Sequence, residues 1–272
     1  SKVGVAMRAV AADGTFDGVV ARAGAWHQSG VTSLDVLQLP GLIDSDRQAD
    51  RFSADAGAVD AVLAGLDATG FSGLGVYPEG PRYLMLLDDT TDFSAAALAG
   101  RTVRAPLSET VFDMLSALGM TPIDLTAADF TVQVPEGIVT VTEGHLARVA
   151  VTTTIDGDSD AVVGINLPLF TKFLVLAVRT DAVSPAVMAV LQTAARNIVD
   201  DFTAARPDEA AQVGEACAAG GVLVQLSEPD RKELSALMAP VAAAFAASKD
   251  GELIDVVAEA AGPPALTRLS CS

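Results

Sequence analysis

The sequence is poor in the features that large anionic partners and membranes require. Its 272 residues contain 17 lysines and arginines against 35 aspartates and glutamates, which gives a formal net charge of −18. Nucleic-acid binding depends on clustered cations that displace counterions from phosphates. No run of about 18 apolar residues is present either, so no segment is long enough to cross a bilayer. We therefore predict a soluble protein that does not bind nucleic acid.

Residues that carry catalysis or hold metals are equally scarce. The only histidines are His27 and His145, and neither accompanies a serine or cysteine nucleophile in a recognisable motif. The only cysteines, Cys217 and Cys271, lack metal-ligand spacing and are compatible with one disulfide of an exported protein or with two thiols. Glycine-rich nucleotide-binding motifs are absent. The sequence predicts no catalytic residue, no metal site and no cofactor.

What the sequence does contain is an alternation of helical and strand-like segments. Apolar residues recur at helical spacing over residues 1–12, 44–66, 108–118 and 127–134. Short apolar runs, which predict strands, lie at 16–20, 74–77, 83–87, 102–105, 121–123 and 138–141. This alternation is typical of an α/β fold with a largely parallel sheet.

The second half of the chain repeats the alternation with longer elements. Residues 170–178 are the most strand-like stretch, and Ser184-Pro185 indicates the start of a helix of about five turns. Pro207 should break or kink that helix, because proline lacks the N–H that a helix interior needs. The remaining predicted elements are a helix to Ala219, a strand at 222–225 and a helix at 227–245.

Arg104 is the residue that this arrangement singles out. It lies in the predicted strand at 102–105 and is followed by Pro106 and the helix cap Ser108. Strand ends that lead into helix N-termini are where α/β sheets bind ligands, and the helix dipole there favours anions. A planar guanidinium also matches a carboxylate through two hydrogen bonds. Arg104 is therefore a candidate anion-binding residue, and a structural or surface ion pair is the alternative.

Several motifs around Arg104 resemble those of the solute-binding proteins of tripartite ATP-independent periplasmic (TRAP) transporters, the DctP-like family. The most informative match is Leu98-Ala-Gly-Arg-Thr-Val-Arg-Ala-Pro106 with Leu118-Gly-Met-Thr-Pro122, which resembles the family's L-x-G-x-x-x-R-x-P and L-G-A-x-P segments. Weaker matches follow the family's order over nearly the whole chain: Asp13–Asp17, Leu39–Ile43, Gly80–Arg82, Val183–Pro185, Ser227–Arg231 and Met238–Val241.

The resemblance implies an α/β, two-lobed fold of the type II periplasmic-binding-protein class, with a hinge between the lobes and a long helix late in the chain. On the family pattern, residues 1–81 and 170–208 build lobe I, and residues 82–169 and 209–272 build lobe II. The family's opening strand, helix and strand have no counterpart before Ser1. Either the sequence begins inside lobe I or the protein completes that lobe in another way.

The same resemblance implies a ligand site in the cleft between the lobes. In the family, the arginine that matches Arg104 binds the ligand carboxylate, and the one that matches Arg82 supports it. The further candidate ligand-binding residues are Leu107, Asp129, Glu143, Gly144 and Phe170. Leu107 and Gly144 stand where the family usually has polar contacts. This departure favours a monocarboxylate with an apolar body over a hydroxylated sugar acid.

The function that the resemblance implies is binding rather than catalysis. The protein would be a monomeric, periplasmic or otherwise extracytoplasmic subunit that captures a small organic acid for the membrane subunits of a TRAP transporter. Export is an expectation from the resemblance, since no signal peptide opens the sequence. Two alternatives stay open: a ligand-sensing module of the same fold that signals to a receptor, and an enzyme that uses Arg104 electrostatically beside Asp129, Glu143 or His145.

Overall fold

The computed structural model describes residues 16–88, 90–125, 127–149 and 162–264, together with Leu269 and Cys271. The helix predicted over residues 1–12 lies outside these residues. The described strands are β1 (Gly18–Arg22), β2 (Phe71–Leu86), β3 (Thr102–Arg104), β4 (Thr121–Ile123), β5 (Val141–Gly144), β6 (Val162–Gly164), β7 (Phe170–Arg179) and β8 (Val222–Val224).

The helices follow the strands in the alternation that the sequence predicts. The α-helices are α1 (Asp46–Ala54), α2 (Ala56–Leu63), α3 (Ala95–Leu98), α4 (Glu109–Ala117), α5 (Ala127–Gln133), α6 (Pro185–Ala205), α7 (Glu209–Ala218), α8 (Glu228–Ala246) and α9 (Leu253–Ala261). Short 3-10 helices span Ala23–Ser29, Ser33–Gln38, Ala64–Thr69 and Leu146–Arg148. The α/β class is therefore confirmed.

Local signals explain where the helices begin and end. Ser108 caps α4 by accepting the N–H of Val111, and Gly119 follows the helix at a φ of 79°. The single helix predicted over 44–66 is split, because the Asp55 carboxylate accepts the N–H of Ala58 at 3.0 Å and starts a new helix, α2. A 3-10 turn then ends at Gly70, as predicted.

The predicted break at Pro207 is also found. Helix α6 ends at Ala205, Arg206 is extended, and the Asp208 side chain caps α7 through the N–H of Ala211 at 2.7 Å. Cys217, near the end of α7, forms a disulfide with Cys271. The structure thus selects the disulfide from the two alternatives for these cysteines. No helix in the described part of the chain combines the length and apolarity needed to cross a bilayer.

Strand β2 is a single strand of 16 residues where the sequence predicts two short ones. The segment between Pro78 and Pro81 suggests a turn, but the structure accommodates it as a bulge, with Gly80 at a φ of 107°. The long antiparallel pairing with β7, from Phe71↔Arg179 to Arg82↔Phe170, keeps both strands extended. Two connected strands therefore run through the centre of the molecule.

The strand directions correct one prediction, because the sheet is mixed rather than largely parallel. Strands β3 and β4, β3 and β5, and β6 and β8 pair in parallel. The pairings of β1 with β7 and of β2 with β5, β6 and β7 are antiparallel. The path is β1-β7-β2-β5-β3-β4, with β6 beside β2 and β8 beside β6. The long β2 causes the mixture, because it runs against each of its neighbours.

The two largest hydrophobic cores among the described residues pack on different parts of β2 and β7. The first core packs on the beginning of β2 and includes Trp26, Leu34, Phe52, Phe71, Phe173 and Val257. The second core packs on the end of β2 and includes Leu84, Val103, Val111, Leu115, Phe170 and Leu234. Helix α8 connects them, because Met238 lies in the second core and Phe245 packs against the first.

Candidate functional site

Arg104 lies at the carboxyl end of β3, in the part of the sheet where β3 is parallel to both β4 and β5. Its side chain is half-buried, and Nη2 donates to the carbonyl oxygen of Leu125, just beyond the end of β4, at 3.4 Å. The guanidinium carbon is 5.8 Å from the centre of the Phe130 ring. The fold therefore places Arg104 at the carboxyl end of a parallel strand, the position for which the sequence predicts a ligand contact.

Arg82 and Glu143 form a buried ion pair beside Arg104. Glu143 lies opposite Leu84 in the antiparallel pairing of β2 with β5, so Arg82 reaches it diagonally, with Nε of Arg82 2.5 Å from Oε2 of Glu143. Nη2 of Arg82 also donates to the Glu143 carbonyl oxygen at 3.3 Å. Burial alone would raise the pKa of Glu143, but the charges of Arg82, Arg104 and Lys172 outweigh it and hold that pKa below its ordinary value. Glu143 is therefore a carboxylate, not a neutral acid.

Lys172 is a residue of this cluster that the sequence reasoning missed. It lies opposite Gly80 in the β2–β7 ladder, and its Nζ is 2.5 Å from Oε2 of Glu79. Burial, with the nearby charges of Arg82 and Arg22, lowers its pKa to about 8 against the opposing effect of Glu79. The available signal was one lysine within a strand, Phe170–Arg179, whose other residues are apolar except Thr171 and the final Arg179.

The other predicted ligand residues are distributed around this cluster. Phe170 is buried opposite Arg82, and Gly144 is buried opposite Tyr83. Leu107 is half-buried between β3 and the cap of α4. Asp129 is exposed on α5, the helix whose Phe130 contacts Arg104. The structure thus brings Arg82, Glu143, Phe170 and Gly144 together where β2 pairs with both β5 and β7.

Elements of the two cores meet directly at the start of α4. The Ser108 hydroxyl donates to Oε1 of Gln38 at 2.7 Å. A Cβ atom on Gly24 would lie 2.2 Å from that same Oε1 and 2.8 Å from Cβ of Ser108, so only glycine allows this approach. Next to it, Nε2 of His27 is 2.7 Å from Oε2 of Glu109. The 3-10 helices of the first core therefore contact the helix that follows Arg104.

Two cavities lie elsewhere along the boundary between the cores. One, of about 340 Å³, is lined by Asp44, Ser45, Tyr83, Ile165, Asn166, Pro168, Glu209, Gln225, Arg231 and Leu269. The other, of about 410 Å³, shares Asp44, Asn166, Pro168 and Arg231 and extends along α8 to Ala242. Arg104 lines neither of these two cavities. Among the described residues, no group of three His, Cys, Asp or Glu side chains could hold a metal ion.

No protein-family model matches the chain, and no curated protein matches its sequence. Solved structures do match. A TRAP periplasmic solute-binding protein from Ralstonia eutropha, with bound (S)-2-acetolactate, is 18% identical at a TM-score of 0.78, covering 95% of this chain and 83% of its own. One from Roseobacter denitrificans, with bound β-D-glucuronate, is 22% identical at 0.75, covering 94% and 83%.

A third structural neighbour is the periplasmic ectoine-binding protein of the TeaABC TRAP transporter of Halomonas elongata. It is 15% identical at a TM-score of 0.79, covering 94% of this chain and 85% of its own. At such identities the likeness concerns the fold, and it confirms the two features that the sequence motifs predicted, a periplasmic-binding-protein-like architecture and a long late helix. The chain therefore has the fold of the TRAP periplasmic solute-binding proteins.

Proposed function

We propose that this chain is the extracytoplasmic solute-binding subunit of a TRAP-type transporter, and that it captures a small organic carboxylate without catalysing a reaction. The observation that carries the proposal is the cluster of Arg82, Arg104 and Glu143 where β2 passes from one core to the other, within this fold. Acetolactate, galacturonate, glucuronate and orotate are the acids bound in neighbours of the same fold.

The two cores support the proposal of two lobes. We assign residues 16–81 and 170–208 to lobe I and residues 82–169 and 209–252 to lobe II. Residues 253–261 were predicted to belong to lobe II, but Leu253, Val257 and Ala261 of α9 pack in the first core. We therefore count α9 with lobe I. The hinge would lie where β2 and β7 pass between the cores and between α6 and α7.

Arg104 is the proposed anchor of the ligand carboxylate. It stands at a carboxyl strand end, four residues before the helix cap Ser108, which is where α/β sheets bind ligands and where its fork would match a carboxylate. The Arg82–Glu143 pair would hold the floor of the site, because Arg82 donates both to Oε2 and to the carbonyl oxygen of Glu143. Oε1 of Glu143 is buried without a hydrogen-bond partner among the described residues. Leu107, Gly144 and Phe170 would shape an apolar wall, and Asp129 would lie at its rim.

Closure would supply the binding energy. A carboxylate that touches both lobes binds the closed form better than the open one and shifts the population toward it. Removal of water from the Arg104 contact strengthens the charge-assisted hydrogen bonds. The Cys217–Cys271 disulfide supports an oxidising compartment, because such bonds persist outside the cytosol. Delivery to membrane subunits, as a monomer, completes the proposal.

The test is a thermal-shift screen of organic acids, neutral sugars and amino acids against the wild type and three variants. Arg104→Ala should weaken binding by about 2–5 kcal/mol, and Arg104→Lys should recover only part, because an ammonium cannot match a carboxylate in two places. Arg196→Ala, which removes an exposed arginine that pairs with Asp60, is the matched control and should bind as the wild type does. Equal stabilisation of wild type and Arg104→Ala, or a response to neutral sugars alone, would contradict the proposal.

A further inference from the structure

His27 contacts carboxylates from both cores at once. Its Nδ1 is 2.5 Å from Oδ2 of Asp35, which lies in the next 3-10 helix of the first core. Its Nε2 is 2.7 Å from Oε2 of Glu109, the first residue of α4, a helix of the second core. The imidazole therefore joins a 3-10 helix of the first core to a helix of the second core.

With both carboxylates ionised, these contacts fit one protonation state of the ring. An ionised carboxylate only accepts hydrogen bonds, so both ring nitrogens must donate, and an imidazole that donates from both nitrogens is an imidazolium. A neutral ring would present one nitrogen lone pair to a carboxylate oxygen and lose one of the two contacts. In this form the ring therefore carries one proton more than a neutral imidazole.

The groups around His27 favour that proton. Burial lowers the pKa of His27, but Asp35 and Glu109 together outweigh burial and raise it above its ordinary value of 6.5. Burial raises the pKa of Asp35 to about 6, against the effect of His27. Asp250 adds negative charge beside Asp35, while its Oδ2 accepts from the Thr32 hydroxyl at 2.5 Å. Two carboxylates therefore contact the imidazole, and a third lies near one of them.

The bridge also lies next to a second close contact between elements of the two cores. Gly24 is three residues before His27, and its missing side chain is what lets Gln38 and Ser108 meet. Ser108 and Glu109 follow Arg104 within five residues of chain. A contact that holds the start of α4 against the 3-10 helices therefore also holds the segment that follows Arg104.

We propose that His27 is a positioning residue that fastens α4 to the first core through Glu109, and that this closure contact forms only while the imidazole is protonated. The inference rests on the proposed function in one respect: the contact between His27 and Glu109 closes over the proposed ligand site at Arg104. Closure of the site is then coupled to the uptake of a proton. The contact should be complete below the ordinary pKa of histidine and should be lost as the pH rises through the raised pKa of His27.

The first experiment is an NMR titration of the imidazole rings in the ligand-free protein. The chain has two histidines, so His145→Gln assigns the His27 signal. His27 should titrate above 6.5 in the wild type, and Glu109→Gln should lower its pKa. Asp113→Asn, on the exposed face of the same helix, is the matched control and should leave it in place. If Glu109→Gln shifts the His27 pKa no further than Asp113→Asn does, the inference is overturned.

A second variant separates the first 3-10 helix from the start of α4 without changing a charge. Gly24→Ala places a methyl group against Ser108, so it should also lower the pKa of His27 although both carboxylates remain. A wild-type pKa in Gly24→Ala would show that His27 does not sense the approach of α4, and would contradict the inference.

The closure itself is measured by small-angle X-ray scattering of the ligand-free protein at about pH 6 and about pH 9, on either side of the titration. The wild type should have a larger radius of gyration at the higher pH, and Glu109→Gln should have the same radius at both. A wild-type radius that does not change overturns the inference. Failure of the proposed function is distinct, because then no organic acid stabilises the protein while His27 still responds to Glu109→Gln.

Discussion

The two ion pairs that flank Arg104 differ most in their exposure to water. Arg82 and Glu143 are 5% and 1% exposed, and each lies within the sheet. The side chain of Glu109, which pairs with His27, is 71% exposed. Both contacts join a cation to a glutamate, and both lie close to the strand that carries Arg104. Their energetic roles must nevertheless differ, because water competes for only one of them.

Breaking the buried pair destabilises the fold, whereas the exposed pair can open and close at little cost. Removing one partner of a buried pair leaves an uncompensated charge in a medium of low dielectric constant. Removing one partner of an exposed pair lets water replace it at little cost. The proposed site thus has one rigid side, built around Glu143, and one side that can move, attached through His27.

The largest effect that tests this comparison is the loss of folding stability in Arg82→Ala. The substitution leaves the Glu143 carboxylate fully buried without its partner, so we expect the free energy of unfolding to fall by about 3–5 kcal/mol. Urea denaturation followed by circular dichroism measures it.

The control for Arg82→Ala removes both charges together. Arg82→Met combined with Glu143→Leu should restore most of the loss, since apolar residues of similar volume often replace a buried pair without penalty. If Arg82→Ala costs as little as an exposed arginine does, Glu143 is not desolvated and the rigid side of the comparison fails.

The fold was predictable where its signals are local. Ser108 and Gly119 mark both ends of α4, and Pro207 marks the break before α7, because caps and proline act through neighbours in the chain. Arg104 was singled out by its place between a predicted strand and a helix cap, and Arg82 and Glu143 were found through motifs that resemble a known family. Their proximity follows from the pairing of β2 with β5 and of β5 with β3.

The features that the sequence analysis missed depend on contacts between distant residues. Pro78 to Pro81 suggests a turn locally, but pairing with β7 on one side holds β2 extended through it. Lys172 becomes notable only because Glu79 and Arg82 approach it from another strand. His27 had no nearby partner in sequence beyond Asp35, and Glu109 lies 82 residues further along the chain. Sequence spacing alone carries no information about such contacts between distant residues.

A smaller effect than that of Arg82→Ala, on the same rigid side, is expected from removal of the disulfide. Cys217 lies on α7, whose Val213 and Ala216 pack with Tyr83, the residue after Arg82. The bond closes a loop across 54 residues, and its loss should cost about 2–4 kcal/mol through the greater freedom of the unfolded chain. The measurement compares the urea midpoints of wild type and Cys217→Ala/Cys271→Ala without reductant.

The reduced wild type is the control for the disulfide. It should unfold at the midpoint of the double variant, because both lack the same cross-link. A double variant as stable as the oxidised wild type would show that the cross-link adds nothing to the packing of α7.

The smallest effect is expected from Glu109→Gln, and its dependence on pH is what separates the two ion pairs. His27 has a raised pKa, so the stability that it contributes is present below about 6.5 and disappears as the pH rises through its folded-state value. Since Glu109 is largely exposed, Glu109→Gln should cost only about 0.2–1 kcal/mol at about pH 6 and nothing measurable at about pH 9. Urea unfolding at both pH values, with Asp113→Asn as the control on the same helix, measures the difference. Arg82→Ala should lose stability at both pH values, because the buried carboxyl of Glu143 is without its partner at either pH. An equal loss for Glu109→Gln at both pH values would mean that Glu109 acts without the proton on His27, and the two pairs would then differ in strength alone.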